Sequence, residues 1–177
     1  MLSALGIRQC SSLVRFWSKT KQNQWKVCSI GCDTGFGHRL ALRLNQIGFK
    51  VYATVLSPTS SGAQELKVNA SQPNRMVVLK MDVTSDEDIN KVHEEISQNL
   101  EDTSYQLWGV VNNAGIANSG LLEWGTIDTY RQIFEVNTFG AVRVTLRFLP
   151  LIRQSKGIPK LYFKKERDHH FCTKVEW

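Results

Sequence analysis

The chain has 177 residues, 42% hydrophobic and 21% charged, a size and composition that fit one soluble globular domain with a moderate core. Its net charge of +6 is unevenly placed: residues 1–32 carry five Lys/Arg and no acid, residues 33–152 ten basic and thirteen acidic, and residues 153–177 seven basic and three acidic. The body is therefore mildly acidic, without the basic face that nucleic-acid binding requires, and no run reaches the roughly eighteen apolar residues of a transmembrane helix.

Residues 1–24 read as a leader. Arg8, Arg15, Lys19 and Lys21 are interleaved with Leu2, Leu5, Ile7, Leu13, Val14, Phe16 and Trp17, and with Ser3, Ser11, Ser12 and Ser18. An Arg-rich, Ser-rich, acid-free start is the composition of an organelle transit peptide. An interfacial membrane anchor and a solvated tail remain open as alternatives. The four cysteines, Cys10, Cys28, Cys32 and Cys172, form no C-x-x-C pair and no zinc spacing. Cys28 and Cys32 flank the first strand and are expected as buried thiols.

Val27–Ile30 predicts a short apolar strand running into Gly31, Gly35 and Gly37, with an amphipathic helix beginning near His38. Glycines permit a tight turn and close backbone approach, and a helix N-terminus adds its dipole and its unpaired N–H groups, so the stretch favours a phosphate site. The alternative is a glycine-rich turn that binds nothing. Leu40, Ala41, Leu44 and Ile47 form a helical stripe that Gly48 stops. Lys50–Leu56 is a second strand, and residues 63–69 a short helix. Met76–Met81 is a third strand, followed by a helix capped by Ser85 with Asp86, Glu87 and Asp88 in its first turn. Leu107–Val111 is a fourth strand, and Thr126 or Asp128 opens one long helix to about Arg153. This alternation predicts an α/β, Rossmann-type doubly wound parallel sheet over residues 25–157, incomplete, with four strands and a doubtful fifth. Pro159 and the surrounding charges argue against a fifth strand at Leu161–Phe163.

Ligands of such sheets bind at the carboxyl ends of the strands. Three clusters fall there: the glycine loop, Asp82-Val83 after strand three, and Asn112-Asn113-Ala114-Gly115 after strand four. Taken singly, Asp82 reads equally as a capping carboxylate and Asn112-Asn113 as an ordinary turn. Their placement together on one edge favours a site.

G-C-D-T-G-F-G (31–37), M-D-V-T (81–84), N-N-A-G (112–115) and E-V-N-T-F-G (135–140), in this order, resemble the short-chain dehydrogenase/reductase family. The G-C-D-x-G-F-G form, W-G-V-V-N-N-A-G and the run F-L-P-L-I-R-Q-S-K-G (148–157) resemble its branch of mitochondrial D-β-hydroxybutyrate dehydrogenase, 17β-hydroxysteroid dehydrogenase type 2 and the retinol dehydrogenases. The resemblance implies that Gly31, Gly35 and Gly37, with Asp33, Thr34 and Phe36 between them, wrap a cofactor pyrophosphate. It implies that Asp82 and Val83 border the adenine, and that Asn112, Ala114 and Gly115 line the ribose side. Asn137 would be the remaining member of the catalytic set, the helix asparagine that helps hold the lysine's water; on the residues alone it also reads as a locally bonded helix amide. Ile30 stands where the family usually has Thr, so a hydroxyl bracing the turn is missing.

NAD is favoured over NADP, because Asp33 beside Thr34 places a carboxylate where a 2′-phosphate would need Arg or Lys. The usual acid ending strand two is absent. The family's Ser and Tyr-x-x-x-Lys have no counterpart here. Four residues after Tyr52, Tyr105, Tyr130 and Tyr162 come Leu56, Gly109, Phe134 and Glu166. Residues 158–177 are charged and unlike the family, so the chain reads as a truncated, inactive form of an enzyme for a secondary alcohol or ketone. It would be only marginally stable, with Phe134, Val142, Leu146 and Leu149 partly uncovered and available to a homo-oligomer or partner. His169, His170 and Cys172 read as part of a basic tail rather than a metal site. The leader predicts a mitochondrial location, with the endoplasmic reticulum membrane surface as the alternative.

Overall fold

The computed structural model describes residues 25–101, 106–118, 121–154 and 160–163. The leader, Cys10 and the tail residues His169, His170 and Cys172 lie outside them. Five strands form one parallel sheet: β1 (Trp25–Ile30), β2 (Lys50–Val55), β3 (Met76–Lys80), β4 (Gln106–Asn112) and β5 (Lys160–Phe163). Their order is β3-β2-β1-β4-β5. The chain moves outward from β1 to β3, then crosses back to β4 on the other side of β1. That reversal between β1 and β4 is the switch point at which such sheets open a crevice.

Strands β1, β2 and β4 are mostly apolar and buried because both of their faces are covered. Successive side chains alternate between faces. Val27, Val51, Ala53 and Trp108 meet Leu40, Leu44, Ala63 and Leu66 of helices α1 (Gly35–Gln46) and α2 (Ser61–Val68). Cys28, Ile30, Tyr52 and Val110 meet Ile89, Ile96, Val144 and Phe148 of helices α3 (Asp86–Glu101) and α5 (Ala141–Gln154). Cys28 and Cys32 are both buried, free thiols. Gly48 ends α1 in the left-handed region, with φ 102°.

Two expectations are corrected, and one left open is resolved. Helix α1 begins at Gly35 rather than near His38, so two of the loop glycines belong to its first turn. Thr34 in extended conformation, φ −151° and ψ 175°, makes the abrupt entrance. The long helix after Thr126 is interrupted: α4 (Ile127–Phe134) passes into a π-helical segment, Glu135–Gly140, before α5. Finally β5 does form, pairing Gly109 with Lys160 through Asn112 with Phe163. The strand begins at Lys160, after Pro159 in the sequence. As expected, Phe134, Val142 and Leu146 are exposed, at 59%, 47% and 66%, and Leu149 is half-buried.

Candidate functional site

A cleft of about 610 Å³ lies over the carboxyl ends of β1, β2, β3 and β4. Its floor is the glycine loop, and each glycine does something different there. Gly31 turns with φ 75°, and a Cβ on it would lie 2.6 Å from the Ala114 Cα. A Cβ on Gly37 would overlap the Asn113 amide and the Gly31 carbonyl. These two glycines allow β1, β4 and α1 to close together, and Asn113 Nδ2 fastens the joint by donating to Gly31 O at 2.8 Å. Gly35, with φ 66°, has nothing within 4 Å of where a Cβ would sit. Its bare face opens on the cleft.

The helix starts differ in the same way. Ser60 accepts from Ala63 N at the start of α2, Ser85 from Asp88 N at α3, and Thr126 from Thr129 N at α4. Thr34, the N-cap of α1, makes no side-chain cap, and the first turn of α1 has no acid. A helix start has N–H groups without intrahelical partners and a positive dipole end. Here it faces the cleft, which Thr34, Gly35 and Phe36 line. The arrangement is suited to an anion such as a phosphate, and a pyrophosphate-bearing cofactor fits it. A hydroxyl does reach the turn despite Ile30: Thr54 Oγ1 of β2 accepts from Gly31 N, at a long 3.4 Å.

The acids are held by internal donors. Both carboxylate oxygens of Asp33 lie 3.1 Å from Leu56 N, at the end of β2. Asp82 Oδ1 accepts from Thr84 N at 2.8 Å and Thr84 Oγ1 at 2.7 Å. Asp88 Oδ2 accepts from Lys80 Nζ and Asp82 N, and these bonds, Lys80 foremost, hold its carboxyl below the usual range. Burial pushes the Cys32 thiol up to about 12 and raises Cys28 as well. Both are therefore protonated and packed, with no nucleophilic role.

The cleft brings together Gly31, Asp33, Thr34, Gly35, Phe36, Asp82, Val83, Ala114 and Gly115 as anticipated from sequence. Three anticipated residues stand apart from its lining. Gly37 is buried beneath the turn. Asn112 is buried in β4, its Nδ2 donating to Thr145 Oγ1 at 3.1 Å. Asn137 sits in the π segment with its amide fully used: Oδ1 accepts from Ile116 N and Nδ2 donates to Ile116 O, both at 2.8 Å. That partner is 21 residues away, so Asn137 is not a locally bonded helix amide. Sequence reasoning missed Gln132, Glu135 and Val136, which line the wall opposite the glycine loop. Glu135 and Val136 open the E-V-N-T-F-G run, but that motif was read for Asn137 alone; Gln132, on α4, belongs to no motif. Among the described residues no cluster of His, Cys, Asp or Glu could hold a metal ion.

A sequence model described as "short chain dehydrogenase" matches residues 26–158. The chain is 46% identical over 136 residues to estradiol 17-beta-dehydrogenase 2 of Rattus norvegicus, covering 76% of this chain and 35% of that protein. It is 43% identical over 129 residues to mitochondrial D-beta-hydroxybutyrate dehydrogenase of Bos taurus, covering 72% and 37%. Among solved structures it is similar to an NADPH-bound carbonyl reductase from chicken fatty liver, with a TM-score of 0.63 at 25% identity, covering 73% and 52%. The chain spans little more than a third of the length of these two curated relatives.

The division of labour among the glycines predicts two separable effects. Gly37→Ala must shift Asn113 or the Gly31 backbone, and should lower unfolding free energy by about 1–3 kcal/mol. Gly35→Asp meets no neighbour, although a φ of 66° strains any side chain there; it puts a charge into the anion-binding face and should abolish dinucleotide binding. Urea titration and calorimetry on both variants test this. Gly37→Ala as stable as the parent chain, or dinucleotide bound by Gly35→Asp as by the parent chain, would contradict it.

Proposed function

The chain belongs to the short chain dehydrogenase family, and on that premise we propose that its body binds NAD as the cofactor half of an oxidoreductase for a secondary alcohol or ketone. The observation that carries this reading is the uncapped start of α1 beside the open face of Gly35. Backbone N–H groups there would hold the pyrophosphate. Asp82 and Val83 would border the adenine, with the second Asp82 oxygen left to accept from an exocyclic amine. Ala114 and Gly115 would lie along the ribose side. The bound nicotinamide supplies the hydride chemistry. Asn137 would act at one remove, clasping the backbone of Ile116 at the cleft rim.

NAD rather than NADP is supported by Asp33. Its carboxylate lies at the end of β2, against Leu56 N. An acid in that region suits a ribose 2′-hydroxyl and repels a 2′-phosphate. The loop thus supplies what the strand itself lacks. The substrates we favour are of the hydroxybutyrate, hydroxysteroid or retinol class, in keeping with the relatives' names and the motif form.

The 177 residues contain no Tyr-x-x-x-Lys. Hydride transfer between an alcohol and NAD must also move a proton at the substrate oxygen, and general acid–base help there is worth about 10²–10⁴-fold. No pair in this chain has the spacing to supply it, so we take the chain by itself to bind cofactor without turnover. A second reading, a non-catalytic nucleotide-binding or dimerising protein, is favoured by the exposed Phe134, Val142 and Leu146 on α4 and α5.

In calorimetric titration the chain should bind NAD at least about tenfold more tightly than NADP, a difference of roughly 1.4 kcal/mol. Asp33→Asn should narrow that gap. Tighter binding of NADP by the parent chain would reverse the cofactor assignment. Mixed with NAD and 3-hydroxybutyrate, a 17β-hydroxysteroid or retinol, purified 1–177 should give no NADH above the blank, and turnover on any of them would overturn the reading of inactivity.

For location, the acid-free start supports mitochondria. Among the described residues no helix is long and apolar enough to cross a membrane. Residues 1–30 fused to a fluorescent reporter should direct it to mitochondria. A reticular signal would favour the endoplasmic reticulum surface, and a diffuse one would remove the assignment.

A further inference from the structure

The cleft has an unfavourable charge for an anionic ligand. Its described lining holds three acids, Asp33, Asp82 and Glu135, and no Lys or Arg. Asp33 and Asp82 are turned onto backbone and hydroxyl donors of their own loops. Of the three, Glu135 alone is paired with a cation among the described residues: Arg143 Nη2 lies 2.5 Å from Glu135 Oε1. The same guanidinium reaches toward Asp86 at the start of α3, with Nε 3.8 Å from Oδ1.

The pairing depends on the π segment. Eight residues of ordinary α-helix make about 2.2 turns, which carries the second side chain well round the cylinder from the first. The wider π turns between Glu135 and Gly140 take more residues per turn and bring Arg143 back to the face of Glu135. The same segment is packed against the adenine-side loop, where a Cβ on Gly140 would lie 2.6 Å from Val83 Cγ2. Arg143 is not fixed there by a full set of bonds. Its Nη1 is buried without a hydrogen-bond partner, so its placement follows the Glu135 carboxylate.

We propose that Arg143 is a positioning residue for the cofactor: it holds the Glu135 carboxylate and cancels its charge, so that an anionic dinucleotide can enter a cleft whose charged lining residues are all acids. This rests on the cofactor reading above. The cofactor diphosphate carries two negative charges within a crevice of about 610 Å³, so an unpaired carboxylate on the wall lies within about a Debye length of it. The Arg143 and Glu135 side chains are 31% and 40% exposed, so solvent moderates the effect without removing it. A purely structural bridge between helices would act differently, since it would weaken the fold and leave the charge of the cleft irrelevant.

The test is a cycle of calorimetric NAD titrations at low and high salt on the parent chain, R143Q, E135Q and the double variant, with thermal melts for each. R143Q should weaken NAD about fivefold at low salt, in the range of a partly exposed ion pair. That loss should shrink at high salt. E135Q leaves the wall with a free cation and should tighten binding about twofold. The double variant should return to the parent affinity. If R143Q equals the parent chain, or the double variant stays as weak as R143Q, the proposal fails while the cofactor reading stands. A parent chain that binds no NAD at any salt overturns both. Should R143Q not fold, E135Q decides, because unchanged or weaker binding there contradicts the proposal.

Discussion

Helix α1 starts without a side-chain acceptor, and the cleft is arranged around that start. The other helix starts of the sheet body are closed by Ser60, Ser85 and Thr126. Among the described α-helices α1 to α4, only α1, where β1 delivers the chain onto the cleft, is left for something else to complete. The glycines serve that one end. Gly31 and Gly37 let β1, β4 and α1 approach closely, while Gly35 removes the side chain that would stand in front of the amides. Backbone donors lose no side-chain entropy on binding, and with the helix dipole they supply positive potential where the side chains supply none.

The opposite wall is set by the π segment. A regular helix over residues 127–154 would present different residues to the cleft. The π turns place Glu135 and Val136 on it, let Asn137 take both backbone groups of Ile116, and seat Gly140 on Val83. Two loops at strand ends, after β3 and after β4, are thereby fixed to one helix. Segments of this kind recur where a helix must aim particular groups at a site.

Most of the fold was legible because its signals are local. Apolar runs of four to seven residues between helical stripes, with Gly48 as a stop and Ser85 as a cap, are read one element at a time. The loop residues of the cleft were legible because strand ends are known once strands are known. What was not legible arises from contacts distant in sequence. Glu135 reaches the cleft from the π segment, and Gln132 from the end of α4 just before it. Asn112 was placed at the ribose, but its register opposite Ile30 buries it in the sheet. Strand β5 was left open because of Pro159 and the charges after it, yet the edge of β4 offers backbone partners to an extended segment beside it. The exposure of Phe134, Val142 and Leu146 agrees with the expectation of a long helix packed on a short sheet.

The central claim is that backbone amides at the start of α1 hold the anionic part of the ligand, and nuclear magnetic resonance of ¹⁵N-labelled chain tests it most directly. Titrated with NAD, the amides of Gly35 and Gly37 should shift strongly and saturate together with those of Val83 and Gly115, while the capped starts of α2, α3 and α4 at Ala63, Asp88 and Thr129 stay in place. Saturable binding that leaves Gly35 and Gly37 unmoved would contradict the account.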